Sequence, residues 1–268
     1  MFIELNNMCN ISGGVQIPGT CVLIEGCHGA DSSFVLHHFV SGYLKSGFNL
    51  CFIGLSQSFN HYNSVGIKLG ASFIDARENG NLVYIEALKL LGEEILKYES
   101  ETDMSILQSS KLLHFENNNH SGLKKLYHHC KYCVQDLLTK HPDKPLLLVI
   151  DDVSVLRLIG YDSLDVIYFM SYLRALMSTY CGCLVVQTLC DTTGEDQDKD
   201  PAVQHIHHQS ECFIKVEALS SGYCKDVHGQ ITVCSRWPES EAMKRAMQYK
   251  IQDKSVIFFA LGMSGAVL

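Results

Sequence analysis

No run of lysine or arginine occurs anywhere in the 268 residues, and the formal net charge is −8. Such a chain does not by itself present a wide cationic surface to a phosphate backbone, so any nucleic-acid contact is expected to be local or shared with a neighbour. The amino-terminal stretch MFIELNNMCN lacks the basic start, apolar centre and small-residue cleavage site of a secretory signal. Nor does any apolar run approach the roughly 20 residues of a membrane-spanning helix, so no membrane partner is expected. There is no Gly-x-Ser-x-Gly elbow, and no cysteine stands in a recognisable signature for activation by histidine. Nucleophilic hydrolase chemistry is left without support. Internal repeats are absent as well.

What is present is the mix of a globular protein, with 47% apolar and 19% charged residues. This length suits one α/β domain spanning residues 1–268. The twelve cysteines, without a signal, read as reduced thiols of a cytoplasmic or nuclear protein, acting mostly as small apolar fillers.

Short β-rich runs alternate with amphipathic helical stretches. Thr20 to Ile24 predicts a first strand and Phe34 to Lys45 the helix after it, with Val35, Leu36, Phe39, Val40, Tyr43 and Leu44 on one face. Further strands are expected at Leu50 to Leu55, Leu82 to Ile85, Leu146 to Ile150 and Leu184 to Leu189. Helices are expected at Phe59 to Leu69, from Leu123 to Leu138, and after a cap at Asp162 or Ser163. Continuous apolar runs such as LLLVI, separated by helices, are what a parallel sheet covered on both faces requires. Residues 93–119 are polar and weakly periodic and predict a flexible insertion, and 191–201 an acidic loop. From 211 to 268 the pattern changes to strands alone: Glu211 to Leu219, Gly222 to His228, Ile231 to Trp237, Gln248 to Gln252 and Ser255 to Leu261. Hairpin turns are expected at His228-Gly229 and Asp253-Lys254. The apolar tail from Val256 to Leu268 is a candidate surface for burial against a neighbour.

A phosphate-binding loop needs glycines for close backbone approach, a lysine for the β and γ phosphates and a hydroxyl for magnesium, between a strand and a helix. Here that junction reads EGCHGADSSF. Gly26 and Ser33 take the outer positions, with Gly29 between, but Asp31 replaces the second glycine and Ser32 the lysine. A carboxylate a few Å from a polyphosphate repels it by roughly 1 to 4 kcal/mol. No bound cofactor is therefore expected, although the junction also reads as a plain structural turn. Asp151 and Asp152 follow the strand Leu146 to Ile150, which is expected to neighbour the first strand. An aspartate there holds magnesium in phosphate-loop enzymes. Alternatively, one of the pair caps the following turn while the other faces solvent.

Cys130 and Cys133, after His128 and His129, resemble half a zinc site, yet no second Cys-x2-Cys pair exists and Cys130 falls on an apolar helical stripe. No metal site is expected. His205, His207 and His208 read as a solvated helix face, the alternative being contact with a partner or ligand.

Several strings, FIELNNM, SQSFNHYNSVGIKLG, DDVSVL, GYCKDVHGQ and YKIQDKSVIFFALGMSGAVL, together resemble the sixth-subunit family of the Elongator complex over nearly the whole chain. The resemblance implies an α/β, RecA-like fold: a mostly parallel, doubly wound sheet, a C-terminal antiparallel extension and a degenerate phosphate loop. It further implies assembly with Elongator subunits four and five into a heterotrimer that doubles into a hexameric ring. That ring binds tRNA and supports 5-carboxymethyl-type modification of wobble uridine by the catalytic subcomplex. In RecA-like ATPases of the KaiC type a catalytic glutamate follows the second strand, where this chain has Ser56, Gln57 and Ser58. No catalytic residue and no intrinsic ATPase are expected. The competing expectation is a divergent nucleotide triphosphatase using Asp151 and Asp152 with a cation from elsewhere.

Overall fold

The computed structural model describes residues 2–11, 18–93, 119–190, 200–219, 222, 224–237 and 241–261. The expected insertion at 93–119 apart from its end residues, the acidic loop apart from residues 200 and 201, and residues 262–268 of the apolar tail lie outside the described residues.

Among the described residues nine strands form one sheet: β1 (Cys21–Cys27), β2 (Asn49–Gly54), β3 (Leu82–Glu86), β4 (Leu146–Ile150), β5 (Cys183–Cys190), β6 (Cys212–Glu217), β7 (Gly229–Ser235), β8 (Met243–Ile251) and β9 (Val256–Phe259). Their order is β3-β2-β4-β5-β1-β6-β7-β8-β9. Pairing is parallel from β3 through β6 and antiparallel from β6 to β9.

The apolar runs are buried on both faces because alternate side chains feed two cores. Leu147 and Val149 of β4 join Val22 and Ile24 of β1 in the first core, beneath α1 (Ile3–Cys9), α2 (Ser33–Lys45), α3 (Phe59–Lys68) and α4 (Phe73–Glu78). Leu146, Leu148 and Ile150 join Cys21 and Leu23 in the second. That face is covered by α5 (Asn119–Lys140), α6 (Ser154–Leu158), α7 (Ser163–Thr179) and α8 (Pro201–Gln209). Asp162 caps α7 by accepting the Asp165 N–H at 2.8 Å, and Asp200 caps α8 by accepting that of Ala202 at 2.8 Å. Trp237 donates its indole N–H to the Cys9 carbonyl at 2.7 Å, tying α1 to the end of β7.

Three expectations are corrected by the structure. The Leu146–Ile150 strand does not neighbour the first strand, since β5 lies between them. Buried parallel strands are alike in composition, so nothing in LLLVI names its partner. Second, no strand forms over Gly222 to His228 among the described residues. Gly222 has φ +88°, and Lys225 and Asp226 face solvent, so this stretch forms a connection. The connection is held at its end where His228 donates its N–H to the Tyr249 carbonyl at 2.8 Å. Gly229 is accordingly the first residue of β7 and no hairpin turn. A Cβ there would collide with the Glu217 carbonyl and stand 2.8 Å from the Tyr249 hydroxyl. The second expected turn is present, with Gln252 N–H donating to the Ser255 carbonyl at 2.8 Å between β8 and β9.

Candidate functional site

The carboxyl ends of the parallel strands are where an open α/β sheet holds a ligand. The β1-to-α2 junction lies at that end. Gly26 is the sixth residue of β1, and the chain turns beyond it with the Ala30 N–H donating to the Cys27 carbonyl at 3.1 Å and Gly29 at φ +82°. Asp31 is exposed, and its Oδ1 accepts the Ser33 N–H at 2.9 Å and closes a local turn. Ser32, where a phosphate loop places its lysine, is 2% exposed and folded back on the strand. A Cβ at Gly26 would collide with the Ser32 hydroxyl, so the glycine now makes room for this serine. The loop has filled its own concavity with a short side chain.

Asp151 and Asp152, following β4, are 1% and 4% exposed. The Asp151 carboxylate accepts backbone N–H groups from Leu55 at 2.7 Å, Ser56 at 3.0 Å and Gln57 at 3.1 Å, and the Tyr62 hydroxyl at 3.0 Å. It thereby clamps the turn from β2 into α3. Asp152 turns the other way: its Oδ1 accepts the Ser154 N–H at 3.0 Å and the Ser154 hydroxyl at 2.6 Å, starting α6. Burial raises both carboxyls above the ordinary carboxylate range, and the donors pull each back toward the ionised form. Burial, helped by the Asp151 charge, raises the Tyr62 phenol, so its proton stays on as the donor. Neither aspartate faces solvent.

Ser56, Gln57 and Ser58, at the position of the KaiC-type glutamate, are exposed, and Ser58 caps α3 by accepting the His61 N–H at 3.3 Å. The Gln57 carbonyl accepts the Tyr84 hydroxyl at 2.6 Å. Nothing local in the sequence marks the clamp, because Tyr62 and Asp151 meet only through the pairing of β2 with β4.

A family profile described as Elongation complex protein 6 matches residues 2–253. The Elongator complex protein 6 of Mus musculus is 38% identical over 278 residues, and that of Danio rerio 36% identical over 274, each with 100% of both chains covered. The chain belongs to the Elongator complex protein 6 family. A more distant relative of the same description, from Dictyostelium discoideum, is 20% identical with 92% of each chain covered. Among solved structures, a KaiC-like protein from Pyrococcus horikoshii OT3 superposes with a TM-score of 0.60 at 12% identity over 90% of each chain. That likeness shows the RecA-type fold.

The remaining sequence-selected residues of this Elongator subunit 6 family member do not converge on the junction. Cys130 is fully buried in the second core, and Cys133 Sγ lies 3.7 Å from His129 Nε2 within α5. Among the described residues no group of three or more His, Cys, Asp or Glu side chains is placed to hold a metal ion. His205 Nε2 meets the Ser171 hydroxyl at 3.1 Å, His207 packs edge-on to Phe213 with ring centroids 4.5 Å apart, and His208 faces solvent.

Proposed function

We propose that the chain is a non-catalytic subunit of the Elongator complex that joins subunits four and five in a heterotrimer, two of which close into a hexameric RecA-like ring. The ring binds tRNA and supports 5-carboxymethyl-type modification of wobble uridine by the catalytic subcomplex. Family membership over the whole chain carries this reading. The absence of ATP turnover is supported by an Asp151 carboxylate already occupied by four donors and by a loop without its lysine. Exposed cations are scattered, with Lys124 and Lys125 on α5 and Lys244 and Arg245 on β8. This suits an RNA footprint shared between neighbouring subunits. The free thiols among the described residues support a cytoplasmic and nuclear location.

Co-expression with subunits four and five tests the reading. A defined hexamer is expected, with tRNA affinity partly reduced by charge reversal at Lys124, Lys125 or Lys244. A monomer that ignores both subunits would overturn it. Titration with ATP and magnesium in a calorimeter is expected to give no heat of binding, and saturable heat would favour the nucleotide triphosphatase instead.

A further inference from the structure

One row of side chains runs along the second-core face of the sheet to a pair of thiols with no role so far. The parallel register of β1 and β5 matches Cys21 with Leu184, Leu23 with Val186, Glu25 with Thr188 and Cys27 with Cys190. The first two of these pairs lie in the second core. Because side chains alternate along both strands, Cys27 and Cys190 face the same side at the last position of each strand. Neighbouring strands run about 4.8 Å apart. Disulfides bridge Cα atoms separated by roughly 4.4–6.8 Å.

We propose that Cys27 and Cys190 form a reversible intramolecular disulfide on exposure to a peroxide, fastening the root of the vestigial phosphate loop to the end of β5. Both residues are half-buried, so a small oxidant reaches them. Other thiols also touch, Cys9 with Cys212 and Cys51 with Cys130, but each of these four is fully buried and shielded.

The reaction balances with hydrogen peroxide as the oxidant. The Cys190 sulfur attacks one peroxide oxygen, giving a sulfenic acid and releasing water. The Cys27 sulfur then displaces the hydroxyl from that sulfenic sulfur, forming the S–S bond, and the departing hydroxide takes the thiol proton as a second water. Two electrons pass from the thiols to the peroxide, and a dithiol reductant returns them. Burial pushes the Cys27 thiol up to about 11, with Lys215 pulling it down and Glu25, Glu217 and Cys190 adding to the rise. Closure, which uses the Cys27 sulfur as its nucleophile, accelerates as pH rises toward that value.

The test is peroxide treatment of the purified full-length chain, followed by alkylation and digestion without reduction. Expected is a peptide joining Cys27 to Cys190 in most chains, on a protein that still migrates as a single chain and regains two alkylatable thiols with dithiothreitol. Cys27→Ser should leave Cys190 as a trappable sulfenic acid. Cys190→Ser should abolish the link. Separate alkylation of both thiols after oxidation, or a link from either one to Cys181, Cys224 or a second chain, overturns the proposal. The wild-type digest alone decides this, so misfolding of a variant cannot obscure it.

Discussion

Replacing Asp151 separates a structural carboxylate from a metal-holding one by the sign of the effect on stability. In Asp151→Ala, the Leu55 N–H and the Tyr62 hydroxyl, on residues 2% and 4% exposed, lose their acceptor without water to replace it. A buried donor left unsatisfied costs about 1–3 kcal/mol. The N–H groups of Ser56 and Gln57 belong to exposed residues and rehydrate at little cost. Relief of desolvating the carboxylate offsets part of the loss, leaving a net destabilisation of about 3 kcal/mol. For a chain of this size that lowers Tm by roughly 6–12 °C. Asp151→Asn keeps one acceptor oxygen but turns an NH2 toward the N–H groups, and should fall about halfway. Were Asp151 instead held ready for magnesium, its removal without metal would relieve repulsion from Asp152, and stability would be unchanged or higher. Urea denaturation followed by circular dichroism, with Asp152→Asn as the comparison, measures the difference. A midpoint for Asp151→Ala at or above that of the unsubstituted chain would refute the clamp.

Restoring the loop with Asp31→Gly and Ser32→Lys together should leave phosphate release from ATP at background, because Asp151 stays engaged and residues 56–58 still carry no carboxylate; turnover above background would contradict this. Gly229→Ala should cost about 2 kcal/mol, since the new methyl meets the Glu217 carbonyl and the Tyr249 ring, and a thermal melt reads it directly. Acid should destabilise the fold through His38, which accepts the Phe2 N–H on Nδ1 at 3.1 Å and meets Asn6 Oδ1 at 2.9 Å through Nε2, and through His37. Burial lowers them to about 3 and about 4, so the unfolded chain takes up protons first. Their contribution is complete above roughly pH 6.5 and falls through the range down to those values, by about 2 kcal/mol for each by pH 5. Asp151 and Asp152, raised by burial, act in the opposite direction as they protonate. His38→Gln is therefore the informative variant: its urea midpoint should vary less between pH 7.5 and 5 than that of the unsubstituted chain, and an identical slope would exclude a buried neutral His38.

The helices and buried strands were legible because burial on two faces leaves a mark in the sequence. LLLVI lies within 2% of full burial throughout, and the stripe Val166, Phe169, Met170, Leu173, Leu176 and Met177 is the buried side of α7. Partnership was not legible. The place of β5 between β4 and β1 depends on crossovers whose length and hand the apolar pattern does not encode. Asp151 was read as a magnesium-side or turn residue because its four donors come from residues 55–62, nearly ninety or more positions away. In the stretch at 222–228, Tyr223 and Val227 favour a strand by composition, while Gly222 and the charged Lys225-Asp226 pair favour the connection that forms.

The placement of β1 also sets the timetable of synthesis. The ribosome delivers this strand long before both its neighbours, β5 and β6. From Cys27 to Glu217 about 190 residues must be added, on the order of 10–40 s at ordinary elongation rates. Meanwhile β2 acquires β3 and then β4 much sooner, so one flank of the sheet can close while its centre waits. During that interval CVLIEGC is an unpaired apolar segment for which a chaperone is the natural escort. A nascent chain interrupted before β5 has no way to complete the middle of its own sheet.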